Sequence, residues 1–74
     1  MEQALKQAKE AYLHGEVPVG CVIVNDSGEI IAEGSNSMIG SCDPTAHAEI
    51  VAMRKAGVIL GNYRFVGCSI FVTL

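Results

Sequence analysis

His47 and Glu49 are the two side chains of this 74-residue chain whose types and spacing best suit chemistry. They lie within the run Asp43-Pro44-Thr45-Ala46-His47-Ala48-Glu49-Ile50. A neutral imidazole is a good zinc ligand, and a catalytic zinc site takes three protein ligands and one water. A carboxylate beside such a water can carry its proton to a leaving amine. The pair is therefore compatible with metal-assisted hydrolysis.

The position of the pair on a helix decides whether both side chains can serve one centre. Side chains two residues apart on a helix point about 200° apart, so a shared centre must lie at the mouth of the helix, beside its first turn. Asp43-Pro44 predicts a helix start that places both residues in that turn. From these residues alone, ordinary explanations stay open. A histidine in a first turn is usually a polar surface or capping group, and the helix dipole accounts for a glutamate there.

The other candidate side chains have ordinary explanations as well. Asn36 lies in a polar loop and is typical of a turn-forming residue. Cys21 and Cys68 fall in strand patterns, which favours buried small apolar residues over ligands. Cys42, five residues before His47, could reach a metal, but one cysteine and one histidine do not complete a site.

Composition limits the chain to one small globular domain and argues against several functions. Half of the residues are apolar and the formal net charge is −3, which excludes a disordered chain and argues against autonomous nucleic-acid binding. The longest apolar runs, such as Cys21 to Val24, are far too short to span a membrane. Three cysteines, an odd number without paired spacing, predict free thiols in a reducing cytoplasm.

Periodicity predicts a helix followed by a β-hairpin in the first half of the chain. The helix covers about residues 2 to 14, and its predicted apolar positions are Ala4, Leu5, Ala8, Ala11 and Tyr12. The hairpin joins a strand at Val19 to Val24, predicted to be covered on both faces, to a strand at Glu29 to Glu33. Its turn is Asn25-Asp26-Ser27-Gly28.

The second half predicts a loop, a helix and a strand, which gives the order αββαβ. The loop runs from Gly34 to Cys42, and the helix from about Ala46 to Ala56, ending at Gly57. The apolar stripe predicted for this helix is Ala46, Ile50, Met53 and Gly57. A turn at Gly61-Asn62-Tyr63 precedes a strand from about Gly67 to Leu74. Because this strand follows a helical crossover, we expect it to lie beside the first strand and parallel to it.

Several segments together resemble the cytidine-deaminase-like superfamily, and within it the family of bacterial deaminases that make inosine at the anticodon wobble position of tRNA. The His-x-Glu match is common to the superfamily, whereas Val-Pro-Val-Gly and Asn-Tyr-Arg favour the tRNA-acting family. The resemblance covers essentially the whole chain. It rests on Val17-Pro18-Val19-Gly20, Glu33-Gly34-Ser35-Asn36, Asp43 to Ile50, Asn62-Tyr63-Arg64 and Val72-Thr73-Leu74.

The resemblance implies a fold and a role for each candidate residue. The fold would be α/β, a three-layer α/β/α arrangement with a mixed sheet, of which residues 1–74 form the N-terminal αββαβ part of one deaminase domain. His47 would be a zinc ligand and Glu49 the proton shuttle. Asn36 would hydrogen-bond the target base, and Val19 and Gly20 would help to shape the base pocket.

The resemblance also implies an activity with its cofactor and partners. The complete protein would be a zinc-dependent hydrolase that flips adenosine out of a tRNA anticodon loop and releases ammonia, acting as a cytoplasmic homodimer. Two alternatives stay open, namely a free-base deaminase acting on guanine or cytosine, and a non-catalytic fragment acting as an interaction module.

One motif of the family does not occur in the 74 residues. In the family, the strand that ends Val-Thr-Leu continues into Glu-Pro-Cys-x-x-Cys, which supplies two zinc thiolates. We therefore expect the isolated chain to hold no catalytic zinc and to be inactive. We also expect the apolar strand at 67–74 to present an unpaired edge through which isolated chains associate.

Overall fold

The computed structural model describes residues 2–61 and 67–73. These residues form the elements α1 (Glu2–Leu13), β1 (Gly20–Val24), β2 (Ile30–Ser35), α2 (Ala48–Leu60) and β3 (Ser69–Val72). This is the predicted αββαβ order. The described strands make one sheet in the order β2-β1-β3, and no helix in the described ranges is long and apolar enough to cross a membrane.

The two helices lie on opposite faces of the sheet. Neighbouring residues of a strand face opposite sides, whereas directly paired residues face the same side. A Cβ atom added to Gly20 would overlap backbone atoms of α1. One added to Gly34, which pairs with Cys21, would overlap backbone atoms of α2. Because Gly20 and Cys21 are adjacent in β1, the layers are α1, sheet and α2, which confirms the predicted three-layer α/β class.

Each helix packs on the sheet through a stripe of small side chains. The buried members are Ala4, Ala8 and Ala11 of α1 and Ala48, Ala52 and Ala56 of α2. Alanine lets the helix backbone approach the strands closely, and one glycine beneath each stripe completes the fit. The large apolar residues predicted for the α1 stripe lie outside the contact, since Leu5 is 57% exposed and Tyr12 is 68% exposed.

The predicted bounds and apolar stripe of α2 are wrong. The helix begins at Ala48, two residues later than predicted, and it continues through Gly57 to Leu60. It ends where Gly61, in the left-handed conformation at φ 64°, donates its N–H to the Gly57 carbonyl. Gly57 costs only about 1 kcal/mol inside a helix. The face that meets the sheet is the alanine stripe, so Ile50 and Met53 are only half-buried.

β3 lies beside β1 as predicted, but its predicted direction is wrong. β3 runs antiparallel to β1, and β1 also runs antiparallel to β2. β2 and β3 therefore point the same way, on either side of β1. The helical crossover through α2 starts from β2, so the rule that a crossover returns a parallel strand applies to β2 and β3. Applied to β1, as in the prediction from sequence, the crossover rule gives the wrong direction for β3.

The hairpin and its turn are confirmed, with a shifted second strand. Asn25 Oδ1 accepts backbone hydrogen bonds from Ser27 and Glu29, and Gly28 adopts φ 83°. β2 extends to Ser35, so Gly34 and Ser35 belong to the strand and not to the predicted loop. The Asn62-Tyr63-Arg64 segment, most of the turn predicted at 61–63, and Leu74 lie outside the described residues.

β3 forms one edge of the described sheet. It pairs with β1 on one side, and no strand within residues 2–61 and 67–73 lies on its other side. Ile70 is 46% exposed and Phe71 is 40% exposed. Self-association through this edge stays a prediction.

Candidate functional site

His47 stands at the mouth of α2. It is the residue directly before the helix, with an extended backbone at φ −67° and ψ 153°. Its carbonyl accepts the first helical hydrogen bond, from the Val51 N–H at 2.9 Å. The imidazole is exposed and makes no capping hydrogen bond to the helix. Its ring nitrogens are therefore free of the helix and available for a ligand.

The first N–H group of α2 donates its hydrogen bond to Asn36, which lies outside the helix. Its Oδ1 accepts the Ala48 N–H at 2.8 Å, and its own N–H donates to the Val19 carbonyl at 3.1 Å. A side-chain oxygen of this kind fills the place of an N-cap. The residue is buried, at 5% exposed. Asn36 thereby ties the end of β2 and the approach to β1 to the mouth of α2.

The geometry leaves one half of the Asn36 amide available. Because Oδ1 faces a backbone N–H, Nδ2 is the outward half. Among the described residues, Nδ2 makes no hydrogen bond, and no fully buried side-chain polar atom there lacks a partner. Within the described residues, Nδ2 is thus a donor that could serve a bound molecule.

Glu49 lies in the first turn of α2, two residues after His47, and it is half-buried. The thiol of Cys21 in β1 is completely buried. Burial, and to a smaller extent the negative charge of Glu49, raises the pKa of Cys21 to about 11. Glu49 is half-buried in the first turn of α2, whereas His47 is exposed at the helix mouth.

Cys21 and Cys42 should differ sharply in their reactivity toward alkylating reagents because the thiolate is the nucleophile. With a pKa of about 11, Cys21 is thiolate only to about one part in a thousand at pH 8. Cys42 is exposed. We expect iodoacetamide to modify Cys42 in the native chain and Cys21 only after unfolding in guanidinium, as read by peptide mass spectrometry. Native labelling of Cys21 at the Cys42 rate would contradict this placement.

A polar turn fixes the approach to His47. Asp43 Oδ1 accepts from the Thr45 hydroxyl at 2.7 Å and from the Thr45 N–H at 2.9 Å. Arg54 of α2 lies 3.3 Å from Asp43 Oδ2 and 3.4 Å from the Thr45 hydroxyl. The hydroxyl of Thr45, its N–H and then Arg54 hold the pKa of Asp43 below its ordinary value. Arg54 thus joins the turn before His47 to the second turn of the helix.

Val19 and Gly20, both predicted to shape a base pocket, lie on opposite sides of the sheet. Val19 is half-buried and packs against the core beneath α2. Its carbonyl holds the Asn36 N–H, so it adjoins the site. Gly20 instead faces α1, where its missing side chain allows close helix packing. A part for either residue in a substrate pocket stays a prediction.

The described residues fit part of a zinc site. His47 has the chemistry of a zinc ligand, and its ring is exposed at the helix mouth. Within residues 2–61 and 67–73, no three His, Cys, Asp or Glu side chains are grouped so as to hold a metal. Glu49, half-buried in the first turn of α2, has the chemistry to act on a bound water without being a ligand. His47 could thus supply one ligand of a zinc site.

Two contributors to this arrangement could not be found by reading along the chain. Asn36 caps a helix that starts twelve residues later, so no local capping pattern marks it. Glu16 is a buried carboxylate that holds the loop before His47. In the sequence it stands between Gly15 and Val17, where it resembles an ordinary turn residue.

Comparison with known proteins identifies the family. The whole chain, residues 1–74, matches the cytidine and deoxycytidylate deaminase zinc-binding region. The chain belongs to this deaminase family. It is 47% identical over its full length to the tRNA-specific adenosine deaminase of Haemophilus influenzae, covering 43% of that protein. It is 46% identical to the tRNA-specific adenosine deaminase of Aquifex aeolicus, covering 48% of it. The chain therefore spans about half the length of these curated relatives.

Solved structures show the same fold. A structure from work on A-to-I editing by tRNA:A34 deaminases at the wobble position superimposes with a TM-score of 0.94 and 44% identity. The match covers 99% of this chain and 55% of that one. The guanine deaminase of Bacillus subtilis superimposes with a TM-score of 0.89 and 46% identity, over 96% of this chain and 45% of that one. These likenesses confirm the predicted cytidine-deaminase-like fold.

Proposed function

We propose that this chain forms part of a zinc-dependent hydrolase that converts adenosine to inosine at the wobble position of tRNA. The observation that carries the proposal is the junction at the mouth of α2, where Asn36 accepts the Ala48 N–H and thereby fixes the start of the helix that carries His47 and Glu49. The tRNA-specific adenosine deaminases that match the full chain support this choice of substrate.

Each side chain at the mouth has a distinct part in this proposal. Bound zinc would supply an activated water, and His47 would provide one of its ligands. Glu49, half-buried behind the mouth, would hold a proton and deliver it to the leaving amine. Asn36 would donate from Nδ2 to the target base and fix its orientation. Val19, packed beneath the junction, would help to form the apolar floor of the pocket, and the adjoining Gly20 backbone would help to shape it.

The proposed partners follow from the same reasoning. The substrate would be a tRNA anticodon loop, and its phosphates would be bound mainly by cations outside these 74 residues, since the net charge here is −3. The three cysteines are free, which supports a reducing cytoplasmic location. The exposed Ile70 and Phe71 at the sheet edge support assembly with further polypeptide, and we infer a homodimer.

The proposal can be tested with two chimeras that differ only in their host. In one, this chain replaces the matching segment of the Haemophilus influenzae tRNA-specific adenosine deaminase; in the other, it replaces the matching segment of the Bacillus subtilis guanine deaminase. We expect the first chimera to form inosine in an anticodon stem-loop and the second to lose guanine deamination. Cooperative unfolding and zinc content serve as controls for correct assembly of both.

A guanine deaminase is the second candidate function. The 46% identity and TM-score of 0.89 to the Bacillus subtilis enzyme favour it. It would be supported if the guanine-acting chimera were active and the tRNA-acting chimera, equally folded, were not. If both folded chimeras bound zinc but neither turned over its substrate, the non-catalytic interaction module would be the better interpretation.

A further inference from the structure

Glu16 is a buried carboxylate placed just after α1. It is 7% exposed, and its two oxygens accept hydrogen bonds from adjacent backbone amides. Oε1 accepts from the Ile39 N–H at 3.1 Å, and Oε2 accepts from the Gly40 N–H at 2.8 Å. A buried carboxylate is costly unless such donors satisfy it. This pair of bonds therefore fixes residues 39 and 40 to the end of α1.

The segment held by Glu16 is a compact loop, residues 37–43. Its internal backbone hydrogen bonds run from Ser41 N to Ser37 O, from Cys42 N to Ile39 O and from Asp43 N to Met38 O. The loop carries an isoleucine, Ile39, that is 72% exposed. An exposed side chain on a fixed backbone is suited to contact a bound molecule.

The ends of this loop are fixed without Glu16. The Ser37 N–H donates to the Ala46 carbonyl at 3.0 Å, and Asn36 Oδ1 accepts a hydrogen bond from the Ala48 N–H. The loop thus begins and ends at the mouth of α2. Removing the Glu16 contact would release the middle of the loop and leave Asn36 and His47 in place.

We propose that Glu16 is a positioning residue that locks this loop as a rim at the mouth of α2, holding Ile39 toward the incoming substrate. The inference rests on the proposed function, because the rim is assigned to the substrate that enters this mouth. This role affects substrate binding and not the chemical step. Loss of the Glu16 contact weakens substrate binding, whereas the proton transfer assigned to Glu49 continues at a nearly normal rate.

Glu16→Gln tests the contact with little change of shape. The amide keeps one acceptor oxygen but places an NH₂ group against the other backbone N–H. Glu10→Gln is the matched control, because Glu10 is exposed on α1. In the 74-residue chain, we expect amide exchange at Ile39 and Gly40 to accelerate about 10- to 100-fold in Glu16→Gln. Exchange at Val51 in α2 should stay within about twofold.

The second measurement is the steady-state kinetics of the Haemophilus influenzae chimera. We expect Glu16→Gln to raise KM for an anticodon stem-loop about tenfold and to leave kcat within about twofold. Glu10→Gln should change neither constant. A fall in kcat at unchanged KM, or unchanged exchange at Ile39 and Gly40, would overturn the proposal.

A truncation variant separates a positioning role from general support of the fold. Glu16→Ala frees both amides, which form a small site for an anion. We expect acetate, compared with chloride at equal ionic strength, to lower the KM of Glu16→Ala severalfold. Equal effects of acetate on Glu16→Ala and Glu10→Ala would contradict the proposal. If the unsubstituted chimera forms no inosine, the proposed function fails, whereas the exchange measurement on the 74-residue chain still decides whether Glu16 locks the loop.

Discussion

Glu49→Gln in the Haemophilus influenzae chimera should lower kcat for inosine formation by about 10²- to 10⁴-fold while zinc stays bound. Glutamine retains the size of the side chain but cannot carry the proton. Glu49 is half-buried in the first turn of α2, whereas His47 is exposed before the helix. We therefore expect its replacement to leave metal binding unchanged. Zinc content is measured by inductively coupled plasma mass spectrometry, and turnover is measured by chromatographic quantification of the inosine formed.

His47→Ala should remove zinc and activity together, because His47 is the proposed ligand. His14→Ala is the matched control: His14 is also exposed, and its ring contacts only the Glu10 carbonyl among the described residues. It should leave zinc content and kcat unchanged. The assignment of roles is wrong if zinc content falls equally in Glu49→Gln and His47→Ala.

Gly34→Ala and Gly20→Ala should be the most destabilising single-methyl additions in the described residues. A Cβ atom on Gly34 would lie 2.7 Å from the Ala52 nitrogen and would press on the Ala48 carbonyl oxygen. These are backbone atoms, so relief requires the whole helix to move. Overpacking of this kind costs about 1 to 3 kcal/mol. In a domain of this size, that corresponds to a drop in Tm of roughly 4 to 8 °C per kcal/mol.

Gly40→Ala is the matched control for these substitutions. Among the described residues, its added Cβ would meet only Glu16 Oε2, at an ordinary contact distance of 3.5 Å. We expect Gly40→Ala to unfold within a few degrees of the unsubstituted chain in calorimetry. In the chimera, Gly34→Ala should reduce kcat more than Gly20→Ala does, because α2 carries the candidate site and α1 does not. Equal Tm values for Gly34→Ala and Gly40→Ala would show that the helix is not seated on this glycine.

The order of elements and the place of the reactive pair could be predicted from local sequence. Helical and alternating patterns gave the αββαβ order, and Asn25 to Gly28 has the turn chemistry found in the hairpin. The run from Asp43 to Ile50 put His47 and Glu49 at the start of a helix, where the structure also has them. Patterns of this kind are set by neighbouring residues, so they can be recognised without the fold.

The docking of the helices could not be predicted from apolar spacing. Spacing favours large residues such as Leu5 and Ile50, yet the buried contacts are made by alanines over Gly20 and Gly34. How closely a helix approaches a sheet depends on both partners together. The direction of β3 was missed for a related reason, since it depends on which strand the crossover leaves.

The residues that hold the candidate site in place could also be recognised only in the tertiary structure. Asn36 reaches Ala48 across twelve residues, and Glu16 reaches Ile39 and Gly40 across more than twenty. In the sequence, both are ordinary loop residues. Folding buries them beside backbone N–H groups that need an acceptor, and the cost of leaving such groups unpaired fixes the contacts. The sequence by itself determined which residues could do chemistry, whereas the tertiary structure determined what holds them in place.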